Sequence, residues 1–139
     1  MTLPPGSRRT WLRAWLPVLV WAGFIFLLSA TPNLQFSQSS EIDLVVRKAG
    51  HMMVFGALAA LIWRALARSA VRRAIAWSWL LTLAYAASDE FHQSFTVGRH
   101  MSPLDVAIDS LGALLVLAAL AFWLRSRRNR SAAGRRDES

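Results

Sequence analysis

The chain contains no cysteine, which excludes a disulfide framework, a thiolate zinc site and a cysteine nucleophile. Charge is also scarce. Asp, Glu, Lys and Arg make up 17% of the residues, where a soluble domain carries about a quarter. Acids are the scarcer sign, 8 against 16 Lys plus Arg. The sequence holds no GxGxxG fingerprint, no phosphate-binding P-loop and no GxSxG elbow. Two-residue alternation of apolar and polar side chains is missing as well, which argues against a membrane β-barrel.

What is abundant is hydrocarbon. The 139 residues are 55% hydrophobic and include seven Trp, and the length suits one compact unit. The apolar residues are bunched into four blocks, Leu12 to Ser29, Ala49 to Ala67, Ala74 to Ser88 and Val106 to Leu124. Three of these approach the ~20 residues needed to cross ~30 Å of hydrocarbon. The third is shorter and is expected to run on as a helix through Glu90, with a polar end. The fold expected is an all-α integral membrane four-helix bundle over residues 11–125, with disordered basic ends at 1–10 and 126–139. The first block resembles a signal peptide, but its apolar core is too long and Leu28 suits no cleavage site, so it is read as a retained span.

Arginine sets the orientation. Arg8, Arg9 and Arg13 stand at the N-terminal end of the first span, Arg64, Arg68, Arg72 and Arg73 around the connection of spans two and three, and six more follow the fourth. The two remaining connections carry only Arg47, Lys48 and Arg99. The positive-inside rule then places both termini and the middle loop in the cytoplasm of a bacterial inner membrane. The Trp residues agree, because Trp11, Trp15, Trp63, Trp77, Trp79 and Trp123 fall near the same ends. The tail "RSRRNRSAAGRRDES" is read as a topology anchor touching anionic lipid rather than as a nucleic-acid arm.

That orientation gathers the ionisable groups at the outer end. Glu41, Asp43, Asp89, Glu90, Asp105 and Asp109, and all three His (His51, His92 and His100), share one side of the membrane. Lys48, His51 and Phe55 succeed one another on one helical face. Asp89 and His92 are three apart, as are Glu90 and Gln93, and Asp105 and Asp109 are four apart with Gly112 on the same stripe. Asp109 lies ~6 Å deeper than Asp105 at 1.5 Å per residue. A charge in mid-membrane costs ~2.5–3.5 kcal/mol on insertion scales, so these groups are expected to face inward and pair. Lys48, His51, Glu90, Gln93, Arg99, Asp105 and Asp109 are the expected site, converging in one pocket, with Lys48, Arg99 and Arg47 as the neutralising cations. A salt-bridge network that merely ties helix ends together is the plain structural alternative. Gly98 and Pro103 suit a tight polar turn before the last span.

The segments "LSATP", "RKAGHMMVFGAL" and "DEFHQSFTVGRHMSPLDVAIDSLG" together resemble the VanZ-like family of small multi-pass bacterial membrane proteins. The resemblance rests on the ordered set Lys48, His51, Phe55, Glu90, Gln93, Arg99, Asp105 and Gly112, over roughly residues 15–122. One departure is Asp109, where the family usually has Asn. The family is named for resistance to the glycopeptide teicoplanin, so the resemblance implies an envelope protein without assigning a reaction.

Three functions are compatible with this pattern. In the first, the outer pocket binds a lipid headgroup or lipid-linked wall precursor and alters glycopeptide susceptibility; membrane lipids, that precursor or the glycopeptide are then the partners, and no cofactor is expected. In the second, a membrane-embedded enzyme acts on an envelope lipid with His51 or Glu90 as general base. In the third, His51 and His92 join acids in a metal or proton site.

Overall fold

In the computed structural model, residues 5–30, 40–95 and 102–134 are described, with side chains described over 10–30, 41–95 and 102–131. They form four helices: α1 (Pro5–Ser29), α2 (Ser40–Arg68), α3 (Ala74–Gln93) and α4 (Pro103–Gly134). Among the described residues there is no strand. Three stretches are long and apolar enough to cross a membrane, Thr10–Ser29, Glu41–Arg68 and Pro103–Ser131. α3 falls short of that measure. Its sequence explains why, because its last turns carry Asp89, Glu90, His92 and Gln93.

The helices extend further than the apolar blocks. α1 begins at Pro5, inside the stretch expected to be disordered, with Pro at a position where its missing N–H removes no intrahelical bond. α4 runs past Arg125 to Gly134. Between those two residues the sequence has no Pro or Gly and is rich in Arg and Ala, both good helix formers, so nothing stops the helix earlier.

α2 ends at a sharp turn. Val71 N–H bonds Leu66 O at 3.1 Å and Ala70 N–H bonds Ala67 O at 3.2 Å, the paired bonds of a Schellman motif. Ala70 stands at φ 53°, where glycine is usual, and Arg73 at φ 58° precedes α3. Two non-glycine residues in the left-handed region reverse the chain within a few residues.

α2, α3 and α4 pack on one another, and among the described residues α1 packs on α2 and α3. The core is built mostly on α2: Phe55, Leu58, Ile62 and Ala65 are buried, with Ile25 from α1 and Ala86 from α3. The partners of α2 and α4 advance together along both chains, from Lys48 with Asp105 through His51 with Asp109 to Gly56 with Val116, so these helices run parallel. Glycine makes their approach possible. A Cβ on Gly112 would collide with Met52 O and lie 2.7 Å from Met52 Cα, and one on Gly56 would lie 2.7 Å from Val116 Cγ2. Close backbone crossings through small residues are how membrane helices pack when neighbouring lipid is as apolar as the side chains.

α3 is polar on its inner side. Its buried residues are Ser78, Thr82, Ala86, Asp89, Glu90 and Gln93, while Trp77, Leu80 and Leu81 are exposed. The inward hydroxyls are satisfied locally: Ser78 Oγ donates to Ala74 O at 2.6 Å and Thr82 Oγ1 to Ser78 O at 2.8 Å. α1 and α4 also present apolar side chains outward, among them Leu19, Val20, Leu27, Leu111, Leu115 and Phe122. Apolar outside and polar within is the arrangement expected of helices immersed in hydrocarbon.

Candidate ligand-binding site at the polar end of the bundle

The C-terminal ends of α1 and α3 and the N-terminal ends of α2 and α4 meet at one end of the molecule, and the ionisable groups collect there. On the α2/α4 side, Lys48 Nζ lies 3.1 Å from Asp105 Oδ1, with both side chains part-exposed at 33% and 42%. One turn deeper, His51 Nδ1 lies 3.4 Å from Asp109 Oδ2, and the Asp109 side chain is 5% exposed. The His51 ring continues onto Phe55, with centroids 6.2 Å apart and planes 21° apart. Phe55 is fully buried. The expected Lys48, His51, Phe55 face is therefore intact, and the Asp105, Asp109, Gly112 stripe of α4 opposes it.

Glu90 stands between α3 and α4. Its Oε1 accepts a 2.7 Å hydrogen bond from the backbone N–H of Ser102, the residue just before α4. Ser102 Oγ in turn accepts from Asp105 N–H at 3.3 Å, so Ser102, Pro103 and Asp105 occupy the N-cap, N1 and N3 positions. In a capping box the N3 acid would return to the N-cap amide. Here Asp105 is engaged by Lys48, and Glu90 from another helix takes the amide instead. A carboxylate at a helix N-terminus is also favoured by the helix dipole. Among the described residues the hydrogen-bond partner of Glu90 is this amide, and the candidate cation Arg99 lies outside them.

Gln93 does not join that side. It turns toward α1, where its Nε2 donates to Asp89 Oδ2 at 2.8 Å and to Ser29 Oγ at 2.9 Å. Ser29 Oγ donates to the same Asp89 oxygen at 2.6 Å. Ser29, Asp89 and Gln93 are all buried. Residues 89 and 93 share a helical face, whereas 90 lies a further 100° around, so one turn of α3 serves two neighbours. His92 adds to the α1 contact by stacking on Phe26, with centroids 4.1 Å apart. Among the described residues the expected site forms two adjoining groups: Lys48, His51, Glu90, Asp105 and Asp109 against α2 and α4, and Ser29, Asp89 and Gln93 against α1.

Other expectations change too. Arg47 forms an ion pair with Asp43 within α2, Nε to Oδ2 at 3.1 Å, so its charge is matched on its own helix. Arg99 and His100 lie outside the described residues. Among the described residues no three His, Asp or Glu side chains are placed to hold a metal ion, so His51 and His92 do not form a ligand set there. The sequence reading missed Ser29, whose signal was its place in "LSATP" at the close of the first span, and Ser102, whose signal was the Ser-Pro-x-Asp spacing.

The two groups sense each other. Asp89, Asp105 and Asp109 all act electrostatically on Glu90. Two buried carboxylate oxygens, Asp89 Oδ1 and Asp109 Oδ1, have no hydrogen-bond partner. The arrangement is a part-exposed rim of Lys48, His51 and Asp105 over a buried floor of Glu90 and Asp109.

Apolar helices of spanning length, with ionisable groups drawn inward at one end, define a multi-pass helical membrane protein. The chain belongs to the VanZ/LLP1 family, whose model matches residues 14–125. Searches of curated proteins and of solved structures return no match.

Proposed function

We propose that this protein resides in the bacterial inner membrane with both termini in the cytoplasm, and that its outer polar end binds the headgroup of an envelope lipid or lipid-linked wall precursor. The observation carrying this is the rim of Lys48, His51 and Asp105 over buried Glu90 and Asp109 at one end of an apolar bundle. Lys48 supplies a cation for a phosphate, and the carboxylates supply acceptors for hydroxyl or amino groups. Occupying such a headgroup would change what a glycopeptide finds at the membrane surface, and so its potency.

The enzymatic alternative has one feature in its favour, since Asp109 on His51 Nδ1 is the pairing that orients a histidine as a base. A base alone assigns no reaction, and the binding reading needs no nucleophile. Native mass spectrometry of the detergent-purified chain tests it. A retained lipid or precursor, lost on Lys48→Gln with Asp105→Asn, is expected. A protein that carries no lipid and takes none up would refute the reading.

A further inference from the structure

Among the described residues, acids outnumber cations at the polar end. Glu90 lies within electrostatic reach of Asp89, Asp105 and Asp109, and Asp109 within reach of Asp89 and Asp105. The described cations beside them are Lys48, engaged on Asp105, and His51, engaged on Asp109. Asp89 and Glu90 instead accept from neutral donors, Ser29, Gln93 and the Ser102 amide. The imbalance has a focus at Asp109. This side chain is 5% exposed, and its Oδ1 has no hydrogen-bond partner although Oδ2 meets His51. A desolvated carboxylate oxygen without a donor is costly. Three His, Asp or Glu side chains are not grouped for a metal among the described residues, so a donor that brings its own N–H groups answers the need better than a bare cation.

We propose that the cluster holds a primary ammonium group, as carried by an aminated lipid headgroup, against Asp109 Oδ1 and beside Glu90. An ammonium offers three donors and a full positive charge on a small group. Lys48 on Asp105 shows the same chemistry one turn nearer the surface, at 3.1 Å. The lipid source follows from the surroundings. Val45 and Leu104 are exposed on α2 and α4 beside Lys48 and Asp105, and Met53 and Leu111 continue those helices outward. Acyl chains lying along these side chains would bring an attached headgroup to the rim, where Lys48 meets its phosphate while its amine reaches inward.

The inference rests on the headgroup reading, and the test separates their failures. The purified full chain is titrated with phosphatidylethanolamine, phosphatidylglycerol and phosphatidylcholine of matched acyl chains, with bound lipid read by native mass spectrometry. Phosphatidylethanolamine is expected to bind about tenfold more tightly than phosphatidylglycerol. Phosphatidylcholine, whose quaternary nitrogen donates no hydrogen bond, is expected to lose most of that advantage. Asp109→Asn keeps the shape of the side chain and is expected to bring the ratio of phosphatidylethanolamine to phosphatidylglycerol binding close to one. Free ethanolamine on the wild-type chain supplies a readout that needs no variant to fold: competition against phosphatidylethanolamine supports ammonium recognition, and binding of ethanolamine as tight as that of the lipid would assign the site to a soluble amine. Equal binding of the three lipids, or a preference for phosphatidylglycerol, would overturn the ammonium inference and leave headgroup binding standing. Absence of any lipid binding would overturn both.

Discussion

At the scale of single residues, Glu90 shows how position can change the meaning of a charge. The sequence marks it as a buried acid in need of a cation, yet its partner is the Ser102 amide. It acts as a cap supplied by one helix to another. Glu90→Gln keeps an acceptor at that amide, whereas Glu90→Ala leaves a backbone donor unmet. The alanine variant is expected to lose ~1–3 kcal/mol of stability, the cost of an unsatisfied buried group, and the glutamine variant about half of that or less. Thermal or denaturant unfolding in detergent checks the order. An alanine variant as stable as the glutamine one would show that the Ser102 bond contributes nothing.

At the scale of elements, the crossing of α2 and α4 decides where the site residues meet. Gly112 allows α4 to approach so closely that a Cβ would strike the backbone at Met52. Met52 follows His51 directly, so this contact sets the distance across which His51 meets Asp109. Gly112→Ala is expected to destabilise by ~1–3 kcal/mol, typical of overpacking, and to weaken lipid retention with it. Gly50→Ala, on the same helix but with nothing within 4 Å of the added Cβ, is the control and should stabilise by ~0.5–1 kcal/mol. Equal effects from the two, read by unfolding midpoints, would rule out the close crossing. α1 is held differently. Tyr85 Oη donates to Ala22 O at 2.6 Å, Trp21 Nε1 donates to Val54 O at 2.9 Å, and Ser29 closes on Asp89 and Gln93. These hydrogen bonds add to the packing of Ala14, Val18 and Ile25 in the core.

At the scale of the whole molecule, orientation in the membrane is the property that the arginines imply and that labelling can test. The chain has no cysteine, so single-cysteine variants give clean signals. Cysteine at the exposed Phe95, beside the polar end, is expected to react with an impermeant thiol reagent on intact cells. Cysteine at Ser69, in the turn between α2 and α3, is expected to react only after the membrane is opened. Labelling of Ser69→Cys on intact cells would invert the topology and move the proposed site to the cytoplasmic side.

The amino-acid sequence by itself determined the helical class, because long apolar blocks leave α-helices as the structure that satisfies its own backbone in hydrocarbon. It also determined which residues lie at one end, since spacing along a helix fixes depth: Lys48 and His51, and Asp105 and Asp109, stand at heights legible from their positions. Azimuth was decided only by the tertiary structure. Whether Gln93 faces α1 or α4, and whether Glu90 meets a cation or an amide, depends on how α3 is rotated between its neighbours. That rotation buries Ser78, Thr82 and Ala86, and no local spacing encodes which neighbour each then faces. The extra reach of α1 and α4 was missed for a related reason, as hydropathy reports where a helix is immersed and not where its backbone stops being helical.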